Sequence, residues 1–308
     1  MNQSSFITRF APSPTGRLHL GHAYSACLAH QLASRHDGQF LLRIEDIDIG
    51  RSRTHFVDAI IDDLHWLGLS WQEPVIRQSQ RFNIYKSALK RLDALGLIYP
   101  CWATRAEIRA HIEDLPGGMK NWPRDPDGAV IYPKLYTDIS DHTRRELMWE
   151  GRDYAWRINI EKMHKLAEEK NGGPLFFHEI DFLQDAQSHT VKVDARQFGD
   201  VIIARKDIPT SYHLSVVIDD DLQNITHIVR GVDLKPAAHI HRLLQCILDL
   251  KRTKYCHHPL IQSIEGRRLS KTAGDEGFRS IGNNALKAED VRALLPAPIG
   301  HGAFEIRP

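Results

Sequence analysis

The chain has 308 residues, 42% of them hydrophobic and 26% charged, with a formal net charge of +1. That supplies a large core but no global electrostatic field, so any hold on nucleic acid has to come from a local basic surface. No apolar run approaches 18 residues and no charged-then-apolar leader opens the chain, which argues against membrane insertion and secretion and for a cytoplasmic protein; the cysteines at 27, 101, 246 and 256 are scattered as reduced thiols would be, without a disulfide framework.

In chain order, Ile7 to Phe10 is a short apolar strand that runs into a segment where Pro12 and Pro14 forbid helix and Gly16 permits a tight turn. A helix is expected from near Leu20, with Ala23, Ala26, Cys27, His30 and Leu32 at roughly 3.6-residue spacing up to the Asp37-Gly38 turn, and a second strand over 39–44. In such a β-α-β unit the free N–H groups and dipole of the helix N-terminus favour phosphate beyond the strand. His19 and His22 fall there, where each imidazole can donate to a phosphate oxygen, and Gly21 lets a flat base or ribose approach the backbone. The two histidines alone favour a metal-ligand pair three apart or plain polar residues at a helix start, and it is the neighbouring Pro-Ser-Pro-Thr-Gly that turns the balance toward phosphate.

Helices are expected over 52–66 and 79–95, the second ended by Gly96, and a short one after the capping box that opens at Thr104. Residues 115–128, rich in Pro, Gly and charge, read as a loop; 154–160 and 175–180 alternate like strands. From Val191 the parallel sheet is expected to resume, with 200–205, a helix through Val216 and Val217, a strand over 226–230 and a helix over 235–250, then a last helix near 285–295. Arg9, Ser13, Glu45, Tyr212 and Arg230 are candidates for one crevice only if the sheet order brings them together. A carboxylate at Glu45 could pair with a substrate ammonium and either guanidinium could grip a substrate carboxylate with two parallel hydrogen bonds, the alternative being a surface ion pair of Glu45 with Arg9 and a core Tyr212. No internal repeat or low-complexity tract is found.

The run Phe10-Ala11-Pro12-Ser13-Pro14-Thr15-Gly16-Arg17-Leu18-His19-Leu20-Gly21-His22 resembles the His-x-Gly-His signature of class I aminoacyl-tRNA synthetases, in the form of the bacterial glutamyl enzymes. Arg268-Leu269-Ser270-Lys271-Thr272, between Glu265-Gly266 and Ala273-Gly274, matches the second, lysine-containing signature. The resemblance covers residues 6 to about 275 and implies an α/β fold: a class I synthetase Rossmann-like parallel sheet split by an α+β insertion, with a short helical C-terminal tail and no anticodon-binding domain. The expected division is 1–100 and 191–260 for the two halves of the catalytic domain, 101–190 for the insertion, and 261–308 for the lysine loop and helical tail.

The implied chemistry is attack of an amino-acid carboxylate on the α-phosphorus of ATP, with no protein nucleophile and with Mg²⁺ on the ATP phosphates. His19, His22 and Lys271 are then the catalytic residues, and ATP is held by His19, Gly21, His22, Arg268, Leu269, Ser270, Lys271 and Thr272. Arg-Phe-Ala-Pro-Ser, Arg-Ile-Glu-Asp, Ser-Tyr-His-Leu-Ser-Val-Val-Ile-Asp-Asp and Val-Arg-Gly-Val-Asp-Leu look like the glutamate-binding segments of this group, so Arg9, Phe10, Ala11, Pro12, Ser13, Glu45, Tyr212 and Arg230 carry over as the glutamate site.

Two departures from the family pattern bear on function. Short relatives hold zinc in the insertion on a Cys-x-Cys pair and a Tyr-x-x-x-Cys pair; here Cys101-Trp102-Ala103 and Tyr132-Pro133-Lys134-Leu135-Tyr136 leave only Cys101 and Tyr132, even if His111 is recruited, and no bound metal is expected. Secondly, only 37 residues follow Lys271, and Arg230-Gly231-Val232-Asp233-Leu234 with Arg242-Leu243-Leu244-Gln245 looks like truncated paralogues of the glutamyl-tRNA synthetases rather than the full-length enzymes. That group implies glutamate activation without tRNA and transfer to the queuosine base at the wobble position of tRNA(Asp), by a monomer whose partners are glutamate and that tRNA. A glutamyl enzyme that charges a tRNA 3′ end, or a non-catalytic tRNA-binding relic, are the alternatives.

Overall fold

The computed structural model describes residues 6–182, 187–261, 277–280, 287–299 and 306–307. In chain order the elements are β1 (Ile7–Phe10), α1 (Leu20–Arg35), β2 (Gln39–Ile44), α2 (Thr54–Trp66), β3 (Gln72–Arg77), α3 (Phe82–Ala94), β4 (Ile98–Cys101), α4 (Arg105–Glu113), α5 (Gly118–Asn121), α6 (Asp141–Trp149), β5 (Ala155–Ile158), α7 (Ile160–Asn171), β6 (Phe176–Asp181), β7 (Gln187–Lys192), β8 (Ile202–Arg205), α8 (Tyr212–Leu222), β9 (His227–Gly231), α9 (Ala237–Ile247), β10 (Lys254–His258), β11 (Leu260–Ile261), α10 (Ala288–Leu294) and β12 (Ile306–Arg307).

Two sheets make the frame. β1, β2 and β3 are parallel in the order β1-β2-β3, and β9, β10 and β6 are parallel in the order β6-β10-β9, with β7 added antiparallel on the outside. They meet where the Thr226 amide donates to the Ile7 carbonyl at 3.0 Å and the Ile7 amide donates to the Thr226 hydroxyl at 2.8 Å, so β1 and β9 lie side by side. Neighbouring residues of one strand fall into different hydrophobic clusters: Ile228 and Tyr255 pack with α7, α8 and α9, whereas Val229 and Cys256 pack with α1 and α2. Successive side chains of a strand point to opposite faces, so helices cover both faces, as a parallel sheet requires. At the α1-to-β2 turn a Cβ on Gly38 would lie 2.0 Å from the Phe6 carbonyl oxygen, a close approach that only glycine permits.

A separate antiparallel sheet, β4-β5-β8, forms the base of the insertion. Its membership differs from expectation in two ways: β6, expected in the insertion, pairs with β10 in the parallel sheet, and β8, expected to resume that sheet, pairs with β5 instead. Alternation alone does not reveal which sheet a strand joins, because register is set by partners distant in sequence. The expected loop over 115–128 contains the single turn α5, and several elements have no counterpart in the sequence reading, β3, β7 and α6 among them. β3 and β7 are exposed edge strands with polar sequences, and α6 buries no residue, so none of them carries a hydrophobic period.

Candidate active site

The carboxyl ends of β1 and β9 open onto a cavity of about 470 Å³ at the seam where the chain order of the parallel strands reverses, the place where such sheets bind ligands. All eight residues expected to hold glutamate (Arg9, Phe10, Ala11, Pro12, Ser13, Glu45, Tyr212 and Arg230) line it, together with His19, Gly21 and His22. The structure therefore brings the expected glutamate and signature residues of 9–230 to one cavity. Arg268, Leu269, Ser270, Lys271 and Thr272 lie outside the described residues.

On the helix side His19 is the N-cap of α1, and its amide donates to Nδ1 of His22 at 3.2 Å, with the two rings 3.7 Å apart. An Nδ1 that accepts leaves the proton of the neutral ring on Nε2, so His22 presents a donor there. A Cβ on Gly21 would sit 3.1 Å from the His19 ring, which gives this glycine a second reason beyond access to the backbone. The turn is tied to β2 by the Glu45 amide, which donates to the Pro12 carbonyl at 3.0 Å.

Beneath the opposite wall runs a buried charge network that the sequence reading only half caught. Arg9 donates from Nε to Asp220 at 2.9 Å, Arg43 donates to the same Asp220 oxygen at 2.7 Å, and Arg43 also pairs with Glu45 at 3.0 Å. Arg43 is fully buried. Burial pushes the Glu45 carboxyl above its usual range, against the pull of Arg43 and Arg9, while the two guanidiniums hold Asp220 below its own despite burial. Glu45 and Arg9 do not pair with each other, and Arg9 is a compensated cation.

Arg230 is different in kind. It is buried, yet the groups it touches are neutral: Nε donates to Nε2 of His257 at 3.2 Å, and Nη1 donates to the Tyr212 hydroxyl at 3.2 Å and faces Nδ1 of His241 at 3.4 Å. Nη2 has no hydrogen-bond partner among the described residues. Behind it His241 meets His213 at 3.3 Å, and His257 meets Glu179 at 3.1 Å. A Cβ on the following residue, Gly231, would lie 2.4 Å from Asp233 Oδ1 and 2.9 Å from Leu260, so a larger residue there would make those two side-chain ends shift. Asp220, Arg43, His213, His241, His257 and Glu179 are given no role by the sequence reading, although Arg43, His213 and Asp220 lie inside the segments that resemble glutamate-binding ones and the His257-His258 pair is a further local hint.

Burial, reinforced by the charge on Arg230, lowers His213 and His257 to about 4 and His241 well below its usual value. In the unfolded chain these rings take up protons near pH 6.5, whereas the folded rings stay neutral down to about 4. Their contribution to stability is thus fully present above pH 6.5 and is lost as the pH falls from there toward 4, at up to about 1.4 kcal/mol per ring per pH unit. Urea unfolding at pH 7, 6 and 5 should show a steadily falling midpoint; a flat profile would mean that the folded rings already carry protons.

In the insertion, Cys101 donates its thiol to the Tyr132 hydroxyl at 3.2 Å, the Tyr136 amide donates to the same oxygen at 3.1 Å, and the Arg157 guanidinium sits 3.8 Å over the Tyr132 ring. A buried hydroxyl already engaged twice, under a guanidinium, does not fit a dication, and among the described residues no three His, Cys, Asp or Glu side chains are grouped to hold a metal. All four cysteines are unbonded, and among the described residues no helix is long and apolar enough to cross a membrane.

Residues 5–132 and 178–289 match the family described as tRNA synthetases class I (E and Q), catalytic domain. The glutamyl-Q tRNA(Asp) synthetase of Rhodobacter capsulatus is 39% identical over 289 residues, covering 94% of this chain and 99% of that protein. The chain belongs to this class I synthetase family, in its glutamyl-Q tRNA(Asp) group. It is a ligase of the aminoacyl-tRNA synthetase type. Glutamate--tRNA ligase 2 of Syntrophus aciditrophicus is 33% identical over 98% of this chain but is covered over only 60% of its own length. A crystal structure of a glutamate tRNA ligase from Elizabethkingia meningosepticum, in complex with its amino acid, superposes with a TM-score of 0.68 at 26% identity; the match takes in 88% of this chain and 53% of that one. The second matched stretch begins at residue 178, inside β6, in keeping with the pairing of that strand in the parallel sheet.

Proposed function

We propose that this enzyme activates glutamate with ATP, without tRNA in that step, and transfers the glutamyl group to a hydroxyl on the cyclopentene ring of queuosine in tRNA(Asp). The observation that carries the reading is one cavity lined both by His19 and His22 at the start of α1 and by Glu45, Tyr212 and Arg230. Glutamate fits with its ammonium at Glu45, whose raised pKa the ammonium would reverse, and its side-chain carboxylate at Arg230. Its α-carboxylate then faces the α-phosphorus of ATP, and attack there forms the mixed anhydride and expels pyrophosphate. His19, His22 and, from the lysine loop, Lys271 are the donors for the phosphate charge that grows in that step, with Mg²⁺ on the phosphates.

A second cavity of about 430 Å³ shares Ser13, Thr15, Glu45 and Tyr212 with the first. Its walls include Ile47, Ile202 and Ile208, and the Ser52 and Ser211 hydroxyls on it have no hydrogen-bond partner among the described residues. The same lining carries Glu45, Asp48, Arg51, Gln78 and Arg205, and isoleucines beside charged and polar groups suit a splayed-out base with its backbone, so we place the route of the acceptor here. In the transfer step the acceptor hydroxyl attacks the glutamyl carbonyl, forming the ester and releasing AMP, with the hydroxyl proton leaving to solvent.

Labelled glutamate, ATP and Mg²⁺ should label total tRNA from cells that make queuosine and leave tRNA from cells that cannot make it unlabelled. Equal labelling of both would instead establish 3′-end charging, the second reading, which the similarity to glutamate--tRNA ligases favours.

A further inference from the structure

We infer that Glu179 and His257 are positioning residues that keep Arg230 oriented and uncompensated, so that its charge is reserved for the side-chain carboxylate of the amino acid. The inference rests on the placing of glutamate at Arg230 given above. The three residues lie across adjacent parallel strands: His257 of β10 is in register with Arg230 of β9, and Glu179 of β6 is in register with Tyr255, two residues before His257.

The hydrogen bonds between them admit one proton arrangement. A guanidinium only donates, so Nε2 of His257, 3.2 Å from Arg230 Nε, is the bare nitrogen; the ring proton is then on Nδ1 and is donated to Glu179 Oε1 at 3.1 Å. The ring thus relays orientation while carrying no charge itself.

The negative charge of Glu179 is spent elsewhere. Its second oxygen pairs with Lys235 Nζ at 2.8 Å, and although burial opposes it, the hydrogen bonds from His257 and Lys235 bring the carboxyl down to about 2. Among the described residues Arg230 has no carboxylate of its own, in contrast to Arg9 and Arg43, which share Asp220. A buried guanidinium with one nitrogen unpartnered and only neutral neighbours favours an anionic side chain over its amide.

The test is glutamate-dependent exchange of pyrophosphate into ATP with two variants of similar size that separate the halves of the relay. In His257→Gln the amide oxygen can stand where Nε2 accepts from Arg230; in His257→Asn the shorter amide reaches only toward Glu179. The expected result is a KM for glutamate within about 3-fold of wild type for the Gln variant and raised at least about 10-fold for the Asn variant, consistent with the loss of a hydrogen bond to a charged group. For both, kcat and the KM for ATP should stay within about 3-fold. Glu179→Leu, which releases the tautomer, should resemble the Asn variant.

Equal KM values for the Gln and Asn variants, or parallel losses in kcat and both KM values as from a merely structural defect, would overturn the relay. Arg230→Gln separates this from failure of the underlying reading. If it raises the KM for glutamate while His257→Asn does not, only the relay falls; if it leaves that KM unmoved, or if wild type shows no glutamate-dependent exchange, the placing of glutamate falls and the relay with it.

Discussion

Asp220→Ala is expected to destabilise the protein by about 3–5 kcal/mol, as an extrapolated loss in urea unfolding, because it leaves two buried guanidiniums facing each other with their shared anion gone. Both Arg9 and Arg43 donate to one oxygen of Asp220, and neither has room to turn to solvent: they are 4% and 0% exposed. The loss is of one charge but the damage is to three, since Arg43 also holds Glu45. Asp220→Asn keeps an acceptor in place and should lose less. Combining Asp220→Ala with Arg43→Met should recover part of the deficit, because a pair removed together costs less than a partner stranded alone. An Asp220→Ala protein as stable as wild type would mean that water or a backbone group replaces the carboxylate.

Lys271→Ala should leave the urea midpoint unchanged and lower the rate of glutamate-dependent pyrophosphate exchange by about 10²–10³-fold, the usual loss when one donor to a developing anion is removed. A lysine suits the task, since a long stem with a compact cation can follow the β- and γ-phosphates as pyrophosphate departs. The defect should fall mainly on kcat, because the interaction is strongest in the transition state. Retained activation in this variant would remove the lysine loop from the mechanism and leave the charge to be borne by the His19 and His22 end of α1.

The β-α-β unit at the start of the chain was legible because every signal in it is local: an apolar strand, two prolines, a glycine and a helical period within 38 residues of Ile7. Both halves of the expected glutamate site were legible as motifs, and the sheet seam brings them together. The charges beneath them were not. Arg43 sits in Leu41-Leu42-Arg43-Ile44, where a lone arginine in an apolar strand reads as an outward-facing residue, yet it is completely buried. Asp219 and Asp220 close a segment that resembles a glutamate-binding one, yet nothing local says that they are buried partners of arginines and of Gln78 and Tyr85. No local pattern distinguishes such a residue from a surface one, because the partner that makes its burial tolerable is far away in the chain.

The helix α7 shows the opposite case. Its cap Asn159, its stripe Ile160, Met163 and Ala167, and its terminator Gly172 are all present in the sequence, but a run dense in Lys and Glu masked the period.

The sharing of Asp220 by Arg9 and Arg43 also imposes an order on synthesis. The carboxylate lies 177 residues beyond Arg43, so at translation rates of 5–20 residues per second it is made roughly 9–35 s later. Until then the two arginines of β1 and β2, which point to the sheet face opposite α1, have no anion to be buried with. The face of β1 and β2 turned away from α1 therefore waits for the second half of the chain, whereas the face that packs on α1 through Phe10, Phe40, Leu42 and Ile44 has its partners from the start.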